Sequence, residues 1–269
     1  MVKPNSKTDI LVRKFKSIYK GEEDEDKGKS DLLVHLIQLF GSLVTNEDFV
    51  KAYPDFPYLF LKFSRDLDQE DPEIAEVTLT QLYCYLHGKD SAYSPADRQV
   101  FDAYGGYWCH AGGLSPLFRA GPYITEQTRL ADYGAGNGLQ GLLLQYLYPH
   151  KRTFQIEVSG PMIERGKRLQ ALMGIPLERV EWVHKNIMDV PPSDFDFIYL
   201  YRPVRPEGPG RKFYERFARG LDGTQHRITI FSVADCLKDF LDSSFEIFYD
   251  DGHLTCFSNE DLHGTGPGA

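Results

Sequence analysis

The chain has 269 residues, 42% hydrophobic and 26% charged, an ordinary globular composition with length enough for one good core and a helical appendage. Its formal charge of −9 repels a phosphate backbone unless a basic face is segregated, which disfavours nucleic acid as a substrate. No apolar run reaches membrane-spanning length and Met1 to Ser6 lacks the apolar core of a secretory signal, so no membrane role and a cytoplasmic location are expected.

Residues 1–103 read as a helical cap region without strand alternation. Ile10, Leu11, Val12, Phe15, Ile18 and Tyr19 make a first apolar face. The acidic run Glu22-Glu23-Asp24-Glu25-Asp26 reads as a solvated loop. Ser30-Asp31 is expected to cap a helix that buries Leu32, Leu33, Leu36, Ile37 and Phe40. Tyr53, Phe56, Tyr58, Phe60 and Phe63 read as core aromatics. Asp71-Pro72 starts another helix, with Ile74, Val77, Leu79, Leu82, Tyr83 and Leu86 as its stripe, and Ser94-Pro95 repeats the signal before Val100, Phe101 and Tyr104. These helices are expected to pack beside the domain that follows and to cover part of its ligand cleft.

Residues 104–259 form a second domain. Tyr104 to Gly113 is too glycine-rich for a regular element and either turns tightly or folds over a ligand. Leu130-Ala131-Asp132-Tyr133-Gly134-Ala135-Gly136-Asn137-Gly138-Leu139-Gln140-Gly141 is a buried strand, a glycine turn and the start of a helix that stops at Pro149. Nucleoside cofactors bind at such a crossing. Gly136, Gly138 and Gly141 fit the dinucleotide spacing, whereas Asp132, Gly134, Gly136 and Gly138 fit an acid-x-Gly-x-Gly-x-Gly pattern. Thr153 to Val158 is a strand with an acid, Glu157, about twenty residues beyond the glycines, where a carboxylate can accept both ribose hydroxyls of either cofactor.

A helix follows with Met162, Ile163, Gly166, Leu169, Leu172 and Met173 inward. Val180 to His184, Asp194 to Tyr201 and Arg227 to Val233 are further strands. Between the last two lies a helix, Arg211 to Gly220, that buries Phe213, Tyr214 and Phe217, and a short helix is expected over Ala234 to Leu241. Phe245 to Tyr249 and Leu254 to Ser258 pair through the Asp250-Asp251-Gly252-His253 turn, and residues 260–269 read as a flexible tail. Cys84, Cys109, Cys236 and Cys256 are too dispersed for zinc or redox motifs. Cys109-His110 lacks a second ligand cluster, so free thiols and no metal are expected.

In this order, from Tyr104 to Ser258, these signals resemble the Rossmann-like (class I) S-adenosylmethionine-dependent methyltransferases. The resemblance implies an α/β fold: a Rossmann-like seven-stranded, mostly parallel sheet with a terminal antiparallel hairpin, preceded by the helical cap. It implies S-adenosyl-L-methionine as cofactor, with Asp132, Gly134, Ala135, Gly136 and Gly138 at the loop and Glu157 on the ribose. Val158 would join Glu157 at the cofactor, Asn186 and Ile187 would lie at the adenine, and Tyr107 or Trp108 near the methionine end. Asn186 stands where the family commonly has Asp, though its carbonyl oxygen can accept the same bond.

The acceptor would meet the methyl group at Tyr201-Arg202-Pro203-Val204. Tyr201 can orient it through its hydroxyl, and Arg202 can bind a carboxylate or phosphate on it. This segment does not match the acid-or-Asn, Pro-Pro-aromatic signature of enzymes that methylate nucleic-acid bases. Ile156 to Pro161 is similar to lysine methyltransferases without a SET domain, but their Asn-containing motif after the fourth strand is missing. A small molecule or protein side chain is therefore the expected acceptor. The alternatives are an NAD(P)-dependent oxidoreductase using Gly136, Gly138 and Gly141, and a non-catalytic S-adenosylmethionine-binding interaction module.

Overall fold

The computed structural model describes residues 6–18, 24–89, 93–107, 113–234 and 237–260. The chain divides into two units. One comprises Met1–Lys89, Ala111–Leu114 and Leu172–Gly174, and the other Asp90–His110, Ser115–Ala171 and Ile175–Ala269.

The first unit is helical: α1 (Ser6–Ile18), α2 (Asp24–Leu43), α3 (Glu47–Ala52), α4 (Phe56–Asp66) and α5 (Pro72–Lys89). Local chemistry sets several starts. Asn46 Oδ1 accepts from the Asp48 and Phe49 amides, both at 3.0 Å. Asp71 Oδ1 accepts from Glu73 at 2.9 Å and Ile74 at 3.4 Å, as its position before Pro72 predicts. The core is aromatic and aliphatic, with Phe56 meeting Phe40 and Phe49 edge-on at 5.5 and 5.1 Å. Leu36, Ile37, Leu79 and Leu82 are fully buried around it.

Four expectations in this unit change. Helix α2 begins at Asp24, so the acidic run is helical rather than looped from Asp24 onward, and Ser30-Asp31 lies inside the helix. Tyr58 is 68% exposed and Val77 58% exposed, because each falls on the outer side of its helix. Glu22 and Glu23 lie outside the described residues, as do Tyr19, Trp108, Cys109, His110, Cys236 and the tail from 261 to 269.

The second unit contains α6 (Pro95–Tyr104), α7 (Ser115–Ala120), β1 (Arg129–Tyr133), α8 (Leu139–Leu147), β2 (Arg152–Glu157) and α9 (Gly160–Leu172). It continues through β3 (Val180–His184), β4 (Phe197–Tyr201), α10 (Arg211–Arg219), β5 (Thr229–Val233), β6 (Glu246–Asp250) and β7 (Leu254–Ser258). The sheet has seven strands in the order β3-β2-β1-β4-β5-β7-β6. Neighbours from β3 to β5 are parallel, and β7 runs antiparallel to both β5 and β6. This is the Rossmann-like arrangement with a terminal hairpin that the sequence predicts.

Near-continuous apolar runs such as Phe197 to Leu200 suit strands covered on both faces. The β6–β7 turn closes as its composition dictates. Gly252 takes φ 82°, and Asp251 Oδ1 accepts from the His253 and Leu254 amides at 2.9 and 2.8 Å. The helix expected over Ala234 to Leu241 shrinks to a 3₁₀ turn at Leu237–Asp239. Ala234 instead adopts φ 49° and donates to the His253 carbonyl at 2.6 Å, which no helix permits. Among the described residues, no helix is long and apolar enough to cross a membrane.

Candidate functional site

Strand order reverses between β1 and β4, and the crevice outside the carboxyl ends of such strands is where open α/β sheets hold ligands. The glycine loop leaves β1 there and Tyr201-Arg202 leaves β4.

Gly134, Gly136 and Gly138 have φ of 79°, 59° and 72°, a left-handed course that side chains resist. The loop is tied down at every turn. The Gly134 and Ala135 amides both donate to the Ile156 carbonyl at 3.0 Å, and Gly138 donates to Ala135 at 2.8 Å. Helix α8 has glycine at its N-cap, which offers no side chain, so neighbours satisfy its first amides. Asn137 Oδ1 accepts from Leu139 at 3.2 Å, and Asp132 Oδ2 reaches up from β1 to accept from Gly141 at 3.2 Å.

Asp132 is 3% exposed and serves the helix end beneath the loop. Burial, reinforced by the Glu157 charge and opposed by the Gly141 bond, pushes its carboxyl up to about 7. Gly138 and Gly141 have packing reasons of their own. A Cβ at Gly138 would strike the Trp182 ring, and one at Gly141 would strike the Gln155 amide. The Trp182 ring also lies against Gly166 and donates from Nε1 to Gln170 Oε1 at 2.9 Å, so it is fixed.

Glu157, at the end of β2, is 2% exposed. Its Oε1 accepts from the Val158 and Ser159 amides at 2.9 and 2.8 Å. Its Oε2 accepts from Gly136 at 2.9 Å and, at 3.4 Å, from the hydroxyl of Tyr93. Burial raises its pKa, against these bonds from Ser159, Gly136, Val158 and Tyr93. The Tyr93 hydroxyl also lies 3.5 Å from the Cβ position of Gly136, with the Met162 methyl at 3.9 Å. A tyrosine hydroxyl thus stands over the glycine loop where a sugar hydroxyl is expected. Sequence reasoning missed Tyr93, because nothing local marks a residue two places before a helical proline as a partner of β2.

Val158 is half-buried after β2, and its carbonyl faces His184 Nε2 at 2.9 Å, so this histidine closes the turn that follows Glu157. After β3, Asn186 Oδ1 accepts from Met188 at 2.9 Å and caps a 3₁₀ turn, and half-buried Ile187 packs on the sheet core. At the β4 mouth the ring of Tyr201 meets His253 edge-on at 6.2 Å. Arg202 takes φ 39°, outside the range a side chain prefers, and Pro203 lies against Gly134, 3.1 Å from its Cβ position.

The segment before α7 docks antiparallel on this loop. Gly106 bridges Val204, Tyr107 donates to the Pro203 carbonyl at 3.2 Å, and Arg205 donates to the Gly105 carbonyl at 2.8 Å. The Tyr107 ring therefore sits among guanidinium groups, with Arg202 Cζ at 5.0 Å and Arg205 Cζ at 5.5 Å from its centroid. Arg205, like Tyr93, lies among the candidate site residues, and the sequence reading passed over both. The repeated Arg-Pro of Arg202-Pro203-Val204-Arg205-Pro206 was its one available signal.

Among the described residues, no cluster of His, Cys, Asp and Glu could hold a metal, and Cys84 and Cys256 are in no disulfide.

No protein-family model and no curated protein matches the chain. Among solved structures it is similar to an RNA methyltransferase from Salinibacter ruber in complex with S-adenosyl-L-homocysteine, at 14% identity over 54% of this chain and 87% of that one, TM-score 0.41. It is similar to TrmN from Thermus thermophilus at 17% identity over 54% of this chain and 46% of that one, TM-score 0.40. An rRNA methylase from Streptococcus thermophilus matches at 14% identity over 51% of this chain and 89% of that one, TM-score 0.36. The fold assignment itself rests on the strand order and hairpin described above.

Proposed function

We propose that the chain is an S-adenosylmethionine-dependent methyltransferase whose acceptor enters at the mouth of β4. One observation carries the choice of cofactor: the amide groups of the glycine loop are already engaged. Gly134 and Ala135 donate to Ile156, Leu139 to Asn137, and Gly141 to the buried carboxyl of Asp132. A dinucleotide needs those donors for its pyrophosphate and a helix end without a carboxylate. A sulfonium nucleoside needs neither, only an acceptor for its sugar hydroxyls, which Glu157 supplies beside Gly136.

On this reading Glu157 holds the ribose, with Tyr93 giving way to it. Val158 and Ile187 flank the adenine, and Asn186 Oδ1 keeps a second lone pair for the adenine amino group beside its bond to Met188. Gly134, Ala135, Gly136 and Gly138 shape the floor, Asp132 holds α8 to that floor, and Tyr107 lies toward the methionine end. When bound, S-adenosylmethionine supplies a methyl group on a sulfonium leaving group, open to in-line displacement by an acceptor lone pair. The protein then contributes alignment and exclusion of water. Tyr201 orients the acceptor, Arg202 binds an anionic group on it, and Pro203 packs against Gly134 to close the floor. An acceptor that already presents a lone pair needs no strong base.

Calorimetric titration with S-adenosylhomocysteine and, separately, with NAD tests the reading. Micromolar binding of the first and none of the second is expected; the reverse would establish the oxidoreductase alternative. Methyl transfer from labelled donor to some acceptor in a cell lysate separates the enzyme from a module that only binds the cofactor.

A further inference from the structure

We propose that His253, in the β6–β7 turn, is the group that takes the proton from the methyl acceptor at the β4 mouth. This deepens the methyltransferase reading and rests on it, since a proton acceptor has a task there only if methyl transfer takes place. Four observations place the histidine in that role.

Sheet register brings it to the mouth. Tyr201 pairs with Val233 and Val233 with Leu254, so the ends of β4 and β5 and the start of β7 form one row. His253 stands one residue before that row, at the same edge of the sheet as the crevice. Its ring meets the ring of Tyr201 edge-on, 6.2 Å between centroids and 89° between planes. An imidazole thus lies beside the tyrosine assigned to orient the acceptor.

The ring nitrogens are uncommitted. Elsewhere in the second unit, His150 Nε2 lies 2.7 Å from Thr153 Oγ1, His184 Nε2 lies 2.9 Å from the Val158 carbonyl, and His226 Nε2 lies 3.2 Å from the Phe195 carbonyl. Those three serve the fold. No described residue bonds either ring nitrogen of His253, which is exposed and can pass a proton on to water.

The backbone beneath the ring is held firmly. The His253 carbonyl accepts from Ala234 at 2.6 Å, and its amide donates to Asp251 Oδ1 at 2.9 Å. Asp251 Oδ2 accepts in turn from the Tyr249 hydroxyl at 2.9 Å. Among the described residues, positive φ occurs at the non-glycine positions Glu70, Arg202 and Ala234. The last two directly follow β4 and β5, on either side of the place where His253 meets Tyr201. Strained backbone of this kind gathers at functional sites.

Methylation of a nitrogen or oxygen that carries hydrogen releases one proton. As the acceptor–methyl bond forms, the methyl–sulfur bond breaks and its electron pair stays on sulfur. The N–H or O–H proton of the acceptor passes to the imidazole of His253, which returns it to water. Imidazole suits that task near neutral pH.

The test uses the full chain, methyl-tritiated S-adenosylmethionine and a cell lysate as the source of acceptor, with calorimetric titration of each variant by S-adenosylhomocysteine. His253→Ala and His253→Phe should both slow labelling at least about a hundredfold, although Phe keeps a ring against Tyr201. Imidazole added to the buffer should restore part of the rate in His253→Ala and leave wild type unchanged. Both variants should bind S-adenosylhomocysteine within about twofold of wild type, since the residue stands on the acceptor side of the mouth.

Labelling by His253→Phe at the wild-type rate would reduce the histidine to packing and overturn the proposal. So would a loss that imidazole leaves unrepaired, or one accompanied by lost S-adenosylhomocysteine binding. If wild type itself neither binds S-adenosylhomocysteine nor labels an acceptor, the methyltransferase reading fails and the proton acceptor falls with it. If wild type does both and His253→Phe labels as fast, the reading stands and only the proposal is removed.

Discussion

Replacing Tyr93 with Phe tests the geometry of the cofactor site most directly. The hydroxyl donates to Glu157 Oε2 at 3.4 Å and stands 3.5 Å from the Cβ position of Gly136, so an incoming ribose must displace it. A bond to a charged acceptor contributes about 1.5–3 kcal/mol. At 3.4 Å this one exceeds the usual O–H···O range, so the lower figure is the better guide. Since about 1.4 kcal/mol is a factor of ten in affinity, Tyr93→Phe should bind S-adenosylhomocysteine roughly five- to tenfold more tightly by calorimetry. The ring itself stays, edge-on to Phe101 at 4.6 Å, so the comparison isolates one hydroxyl. An unchanged or weaker dissociation constant would refute the competition between tyrosine and sugar for the same carboxylate oxygen.

Four further outcomes follow from the same structure. Glu157→Gln puts an amide N–H₂ among the N–H donors of Gly136, Val158 and Ser159, which should lower stability by about 1–3 kcal/mol. It should also weaken S-adenosylhomocysteine binding at least ~tenfold, as seen in melting and titration. Asp132 has a folded pKa of about 7 against an ordinary 3.8, so the folded state holds its proton more tightly. The stability this confers is complete at low pH and lost as pH rises to about 7, by at most about 4 kcal/mol. Melting temperatures between pH 5 and 8 should therefore fall less for Asp132→Asn than for wild type, and equal slopes would show that the acid is not perturbed. Gly166→Ala should destabilise by about 1–3 kcal/mol, because its Cβ meets a Trp182 ring that Gln170 holds in place. Gly28→Ala, in α2 with open space around it, should instead gain about 0.5–1 kcal/mol in urea unfolding.

What could be read from residues alone was whatever depends on neighbours along the chain. Runs of apolar residues placed β3 at Val180–His184 and β7 at Leu254–Ser258, and the Ser94-Pro95 signal placed α6, whose capping box joins Ser94 and Asp97. Glycine spacing and the acid at the end of β2 marked a candidate nucleoside site for the same reason: the turn and the strand end are local features. That spacing could not choose between two cofactors, since glycine serves open approach and close packing alike. Only the fold showed that Gly138 and Gly141 make room for Trp182 and Gln155, side chains from neighbouring strands.

Long-range partners decided the rest. Asp132 turned out to serve a helix end through Gly141, and Glu157 drew its hydroxyl partner from Tyr93, 64 residues away. Arg205 joined Arg202 at one ring because the Tyr107 segment pairs with the loop after β4. Local pattern settles which face of each strand or helix is apolar; crossover and register settle which side chains meet, and the chemistry of this site is made of those meetings.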